Sequence, residues 1–117
     1  MLLICVDALK PTIYCFGDAI AKTPSIDRLA ARGVRFDSAY CKQAVCSPSR
    51  NSLTTSLRPQ PIGIYDLPTH FRKAVPDVVT LGQYFRGAGY HAKAPGKIFH
   101  GVHGNIDDTA SWDGPHF

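Results

Sequence analysis

At 117 residues, 44% apolar and 19% charged, the chain has the size and balance of one ordinary domain and is too short for two independently packed ones. Its net charge of +4 comes from 13 basic and 9 acidic residues. The basic residues are scattered rather than run together, which argues against a nucleic-acid-binding arm, and the longest apolar run is far too short for a membrane span.

Leu2-Leu3-Ile4-Cys5-Val6 is a continuous apolar run ending in Asp7. It reads as a strand covered on both faces of a parallel sheet, with Cys5 in the core. It has no basic flank and no small-residue cleavage site, so no signal peptide is visible. Open α/β sheets bind ligands beyond the carboxyl ends of their strands, which places Asp7 well for chemistry. Residues 10–18 read as loop. Thr23-Pro24-Ser25-Ile26-Asp27 reads as a helix start, with Thr23 as cap, Pro24 at the first helical position and Asp27 at the positive end. Ile26, Leu29 and Ala30 form its expected buried stripe, and Gly33 its stop.

Val34, Phe36, Ser38 and Tyr40 alternate with Arg35, Asp37 and Ala39, a second strand pattern. Ser47 and Pro48 then read as cap and first residue of a second helix running toward Leu57. The stretch 58–77, with Pro59, Pro61, Pro68 and Pro76, reads as an ordered surface crossing. Thr80 to Arg86 reads as a third helix with Leu81, Tyr84 and Phe85 inward. Residues 90–94 read as a third strand, delivering Gly96-Lys97-Ile98-Phe99-His100 to the sheet edge of Asp7, and residues 101–117 read as loop. The expected fold class is therefore α/β, a partial, mostly parallel sheet flanked by helices. Three strands cannot cover the first one fully, so residues 1–117 are expected to be the N-terminal part of a larger catalytic domain.

The chemistry concentrates at Cys46-Ser47-Pro48-Ser49-Arg50. Cys46 precedes a helix start, where the dipole favours an anion, and Arg50 adds a forked cationic donor in the first turn. A nucleophile beside an anion cradle suits attack on a phosphate or sulfate ester. The three residues between Cys46 and Arg50 are too few for a tyrosine-phosphatase loop. All nine acidic residues are Asp, and short carboxylates suit caps, turns and metal ligation. A zinc set of Cys41, Cys46, His100 and His103 has spacings unlike those of common fingers. Cys15 and Cys41 read as loop thiols, and Asp107-Asp108 as a turn.

Cys46-x-Pro48-Ser49-Arg50 resembles the signature of type I sulfatases. The strand ending at Asp7, Gly17-Asp18 followed by Thr23-Pro24-Ser25-Ile26-Asp27-Arg28-Leu29-Ala30, and Gly96-Lys97 resemble the same family in order and spacing. Gln43-Ala44-Val45-Cys46, Ile64-Tyr65-Asp66, Gly96-Lys97-Ile98-Phe99-His100 and Asp107-Asp108 with Ser111-Trp112 narrow the resemblance to the iduronate-2-sulfatase branch. It implies an alkaline-phosphatase-like fold. It also implies a sulfuric ester hydrolase acting on a sulfated glycosaminoglycan or related ester, lysosomal or secreted, whose Cys46 is oxidised to Cα-formylglycine by a formylglycine-generating enzyme. The aldehyde hydrates to a geminal diol; one hydroxyl attacks sulfur and the other later expels sulfate. The resemblance implies Asp7 and the modified Cys46 as Ca²⁺ ligands. It makes Cys46 the nucleophile, with Arg50 holding it, Lys97 on a sulfate oxygen and His100 beside the sulfate or leaving oxygen.

Two departures qualify what is implied. The family usually places a second aspartate where Ala8 stands, and Thr55-Ser56-Leu57 replaces the usual Thr-Gly-Arg. An inactive relative binding sulfated glycans, and a phosphate-ester hydrolase of the wider superfamily, are the alternative readings.

Overall fold

The computed structural model describes residues 1–101 and 107–115 and divides into two compact units, Met1–Tyr40 and Cys41–Phe117. Its described elements are helices, short 3-10 turns and loops. The expected α/β class is thus overturned: no strand occurs among the described residues. An extended segment becomes a strand only by laddering its N–H and C=O groups onto a neighbour, and 1–6, 34–40 and 90–94 form no ladder. Segment 90–94 is instead clasped at one point. Ala92 N–H donates to Asp113 Oδ2 at 2.7 Å and Asp113 N–H to the Ala92 carbonyl at 2.9 Å. No described helix is long and apolar enough to cross a membrane.

In the first unit, Leu2, Leu3, Ile4 and Val6 are 46–83% exposed, and Cys5 is an exposed free thiol rather than a core residue. Helix α1 (Pro24–Ala30) starts at the proline, as the sequence suggests, but buries none of its residues. Thr23 does not cap it: its hydroxyl donates to Asp27 Oδ1 at 3.1 Å and accepts from Tyr14 N–H at 3.2 Å. Asp27 also accepts from Cys15 N–H at 3.0 Å, so this carboxylate ties α1 to the 3-10 turn Tyr14–Phe16.

The second unit holds the core. Ile62, Ile64, Phe71 and Phe99 are buried together, with Leu57, Val75, Val78, Ile98 and Trp112 against them. Phe71 and Phe99 stack with ring centroids 5.5 Å apart, a geometry that adds to the area they bury. Three of these four core residues lie in 58–77, so the proline-rich stretch is no surface crossing. It carries α3 (Pro59–Ile62) and a 3-10 turn, Phe71–Lys73. Proline at the first position of α3 sacrifices no helical hydrogen bond.

Helix α2 spans Cys46–Thr55 and α4 spans Leu81–Gly87. Thr80 caps α4 in a reciprocal capping box with Gln83, satisfying two otherwise unpaired amides. Gly82 is buried against the turn Thr109–Ser111. A Cβ there would collide with the Ser111 carbonyl and lie 2.9 Å from the Trp112 ring. Tyr84, expected inward, is exposed.

Arg72 joins these pieces. Its guanidinium grips Asp108 through Nε (2.9 Å) and Nη2 (2.8 Å) and donates to Gln83 Oε1 at 2.6 Å and to the carbonyls of Pro76 (2.7 Å) and Val78 (2.8 Å). Ser111 donates to Asp108 Oδ2 at 2.6 Å and shares a 2.5 Å hydrogen bond with Thr80. Burial pushes the Asp108 carboxyl up, but the hydrogen bonds from Arg72 and Ser111 and the nearby positive charge outweigh it and hold its pKa below the ordinary value. The Asp108 contacts raise the pKa of Arg72 in turn.

Candidate functional site

Cys46 is the first residue of α2, preceded by Val45 in extended conformation with no side-chain cap. The helix therefore begins one residue before the expected cap, and Ser47 is buried inside its first turn. The amide end of a ten-residue helix carries partial positive charge at position 46.

Opposite Cys46 stands His100. The Sγ–Nδ1 separation is 3.2 Å, within hydrogen-bond reach for sulfur, although 54 residues separate the two in sequence. His100 is only 5% exposed. Its position follows from the residues before it. Gly96 turns the chain at φ +75°, a value that disfavours side chains, and Ile98 N–H closes the turn onto the Gly96 carbonyl at 3.1 Å. Phe99 then inserts into the core between Phe71 and Trp112, 5.5 and 6.1 Å away.

Arg50 completes the join. Its Nη1 donates to the Lys97 carbonyl and, at 3.3 Å, to the Ile98 carbonyl. The guanidinium thus pins the loop carrying Lys97 and His100 to the second turn of α2. Lys97 itself is exposed. The structure brings Cys46, Arg50, the Lys97 backbone and His100 together. Asp7 belongs to the first unit, exposed in a turn with Ala8 at φ +52°.

Sequence reasoning missed Asn51 and Ser47 as a buried polar pair. Asn51 Nδ2 donates to the Ser47 carbonyl at 2.9 Å and to Ser47 Oγ at 3.2 Å. Their spacing of four residues, one helical turn, was the available signal.

Calcium takes six to eight oxygen ligands. Among the described residues no group of three or more His, Cys, Asp or Glu side chains could hold an ion, and Ala8 brings no oxygen beside Asp7. Asp107 and Asp108, read as a turn, spend their oxygens on Trp112 Nε1 (2.9 Å) and Arg72. No chemical step is assigned to the ion. The zinc set fails on the same observation for its described members, Cys41, Cys46 and His100; His103 lies outside the described residues.

A position for a nucleophile, an imidazole nitrogen in contact with it, the positive end of a helix and a lysine-bearing loop together suit transfer of an anionic ester group. Comparison with known proteins points the same way. A sulfatase family model matches residues 1–113. The chain is 40% identical to iduronate 2-sulfatase of Homo sapiens over 98% of its own length and 22% of the relative's. It is 41% identical to iduronate 2-sulfatase of Mus musculus over 98% and 21%, and 38% identical to a sulfatase of Formosa agariphila over 86% and 21%. The chain thus spans about a fifth of the length of these relatives.

Proposed function

The chain belongs to the sulfatase family, and from that premise we propose that it forms part of the catalytic domain of a sulfuric ester hydrolase of the iduronate-2-sulfatase kind, with position 46 as the reacting residue. The observation that carries the reading is the 3.2 Å approach of Cys46 Sγ to His100 Nδ1 at the amide end of α2.

Oxidised to formylglycine and hydrated, residue 46 supplies the oxygen nucleophile that attacks sulfur as the S–O bond to the alcohol breaks and the alcohol leaves with a proton; the second hydroxyl then loses its proton, and sulfate is expelled as the aldehyde reforms. The remaining work falls to neighbouring residues. His100, at hydrogen-bond distance through Nδ1, takes the proton from the side chain at 46 as the oxygen attacks. The positive end of α2 stabilises the anionic sulfate in place. The Lys97 ammonium binds a sulfate oxygen and offsets the charge that gathers on the ester in the transition state. Arg50 acts mainly by fixing the loop that bears both groups, through its bonds to the 97 and 98 carbonyls. A sulfated sugar fits the relatives' printed activity, and a lysosomal or secreted location goes with it.

The second reading, a protein that binds sulfated glycans without cleaving them, is favoured by one feature: Ala8 beside Asp7 supplies no second carboxylate. Turnover decides between them. The full-length protein, co-expressed with a formylglycine-generating enzyme, is assayed on nitrophenyl sulfate and nitrophenyl phosphate. Sulfate release that disappears in Cys46→Ala supports hydrolysis; binding of sulfated oligosaccharide with no release supports the second reading, and preference for phosphate overturns both.

A further inference from the structure

Asn51 of α2 has no part in the chemistry assigned to Cys46, Arg50, Lys97 and His100. Asn51 is fully buried, and its Oδ1 has no hydrogen-bond partner. An amide whose carbonyl is buried and unpaired is a poorer choice for packing than leucine or alanine, so its donor side asks for an explanation.

That donor side is committed to the first turn of the helix. Nδ2 reaches the Ser47 carbonyl at 2.9 Å and Ser47 Oγ at 3.2 Å, and Ser47 is itself fully buried. The Asn51 backbone is held as well: its carbonyl accepts from Thr55 Oγ1 at 2.6 Å and Thr54 Oγ1 at 3.2 Å. The first turn of a helix is its loosest part, because its amides lack intrahelical partners, and here Val45 provides no side-chain cap. Two bonds from a fixed amide onto the carbonyl and the hydroxyl of Ser47 remove the freedom of the residue that immediately follows Cys46.

Resting on the sulfatase reading, we propose that Asn51 is a positioning residue: by clamping Ser47 it holds the side chain at position 46 in register with His100 Nδ1. It touches neither substrate nor reacting atom. Its removal misaligns the nucleophile and its proton acceptor, which are 3.2 Å apart, and leaves the groups that bind sulfate in place.

The test uses the full-length protein with residue 46 converted, and counts active sites by labelling the aldehyde with a hydrazide probe. Asn51→Leu keeps the branched shape and removes the donor; Asn51→Ala, which adds no bulk to the buried position, is the second variant should the first fail to fold. Both are expected to lower kcat per aldehyde on nitrophenyl sulfate about tenfold while KM stays within about twofold, because misalignment acts on the chemical step. Ser47→Ala, which leaves the backbone carbonyl as acceptor, is expected to lower kcat per aldehyde by about threefold on the same reasoning. A structural role alone predicts less aldehyde or a lower melting temperature with kcat per aldehyde unchanged, and that result overturns the proposal. A wild-type protein that releases no sulfate overturns the underlying sulfatase reading instead.

Discussion

Replacing Arg72 by methionine keeps the apolar stem of the side chain and removes both the guanidinium carbon that lies 4.9 Å from the Phe71 ring centroid and every bond the guanidinium donates. Asp108 bears the consequence. Its side chain is 6% exposed, and after the change it keeps only the Ser111 hydroxyl at 2.6 Å. Removing one partner of a buried ion pair typically costs about 3–5 kcal/mol, because the remaining charge stays desolvated. Arg72 itself is 21% exposed, so water can enter the space vacated, and the low end, about 3 kcal/mol, is the expectation. That is a large share of a typical stability of about 5–15 kcal/mol. Urea denaturation followed by Trp112 fluorescence is a direct readout, since the indole packs on Phe99 and donates to Asp107. With a slope of about 1–3 kcal/mol per molar urea, the midpoint should fall by at least about 1 M. Arg72→Met with Asp108→Leu should recover much of the loss, as no orphan charge remains. A loss below about 1 kcal/mol, the range of an exposed pair, would refute the view that this pair staples the unit.

Other outcomes follow from single residues. Ser56 closes α2 at φ +61°, so Ser56→Gly should stabilise by about 1 kcal/mol through relief of the left-handed strain, read as a higher urea midpoint. The depressed Asp108 pKa contributes stability that is present above the ordinary carboxylate value of 3.8 and is lost as pH falls through the lower folded value. Acid titration of the unfolding free energy should show that loss, and Asp108→Asn should flatten it. His100→Gln should cut kcat for aryl sulfate by about a hundredfold with aldehyde content unchanged, the usual contribution of a general base; an unaltered rate would remove His100 from the proton transfer.

Local signals reached as far as local causes do. Pro24 marks the start of α1 correctly, because proline geometry is settled within one turn, and the third helix, expected from Thr80, begins at Leu81 with Thr80 as its cap. The strand patterns at 2–6, 34–40 and 90–94 did not become strands, since alternation or apolarity describes a surface and a ladder needs a partner. The core in 58–77 was hidden because prolines signal breaks in regular structure but say nothing against burial, and Ile62, Ile64 and Phe71 are buried within them. At the site, the motif around Cys46 was legible, and the 3.2 Å contact with His100 was not derivable from spacing. The sequence suggests Arg50 as an anion donor, and in the structure its Nη1 lies on two carbonyls of the 97–98 segment. The Arg72–Asp108–Ser111–Thr80 chain has no sequence signature, because it joins residues up to 36 positions apart through side chains only.

The most direct test is the mass of the peptide 43–50, freed from the full-length protein by cleavage after Lys42 and Arg50, following co-expression with the cysteine-oxidising enzyme. The account predicts that sulfur is gone from residue 46 and an aldehyde stands in its place in protein that turns over aryl sulfate. An intact thiol in protein that still turns it over at full rate would contradict it.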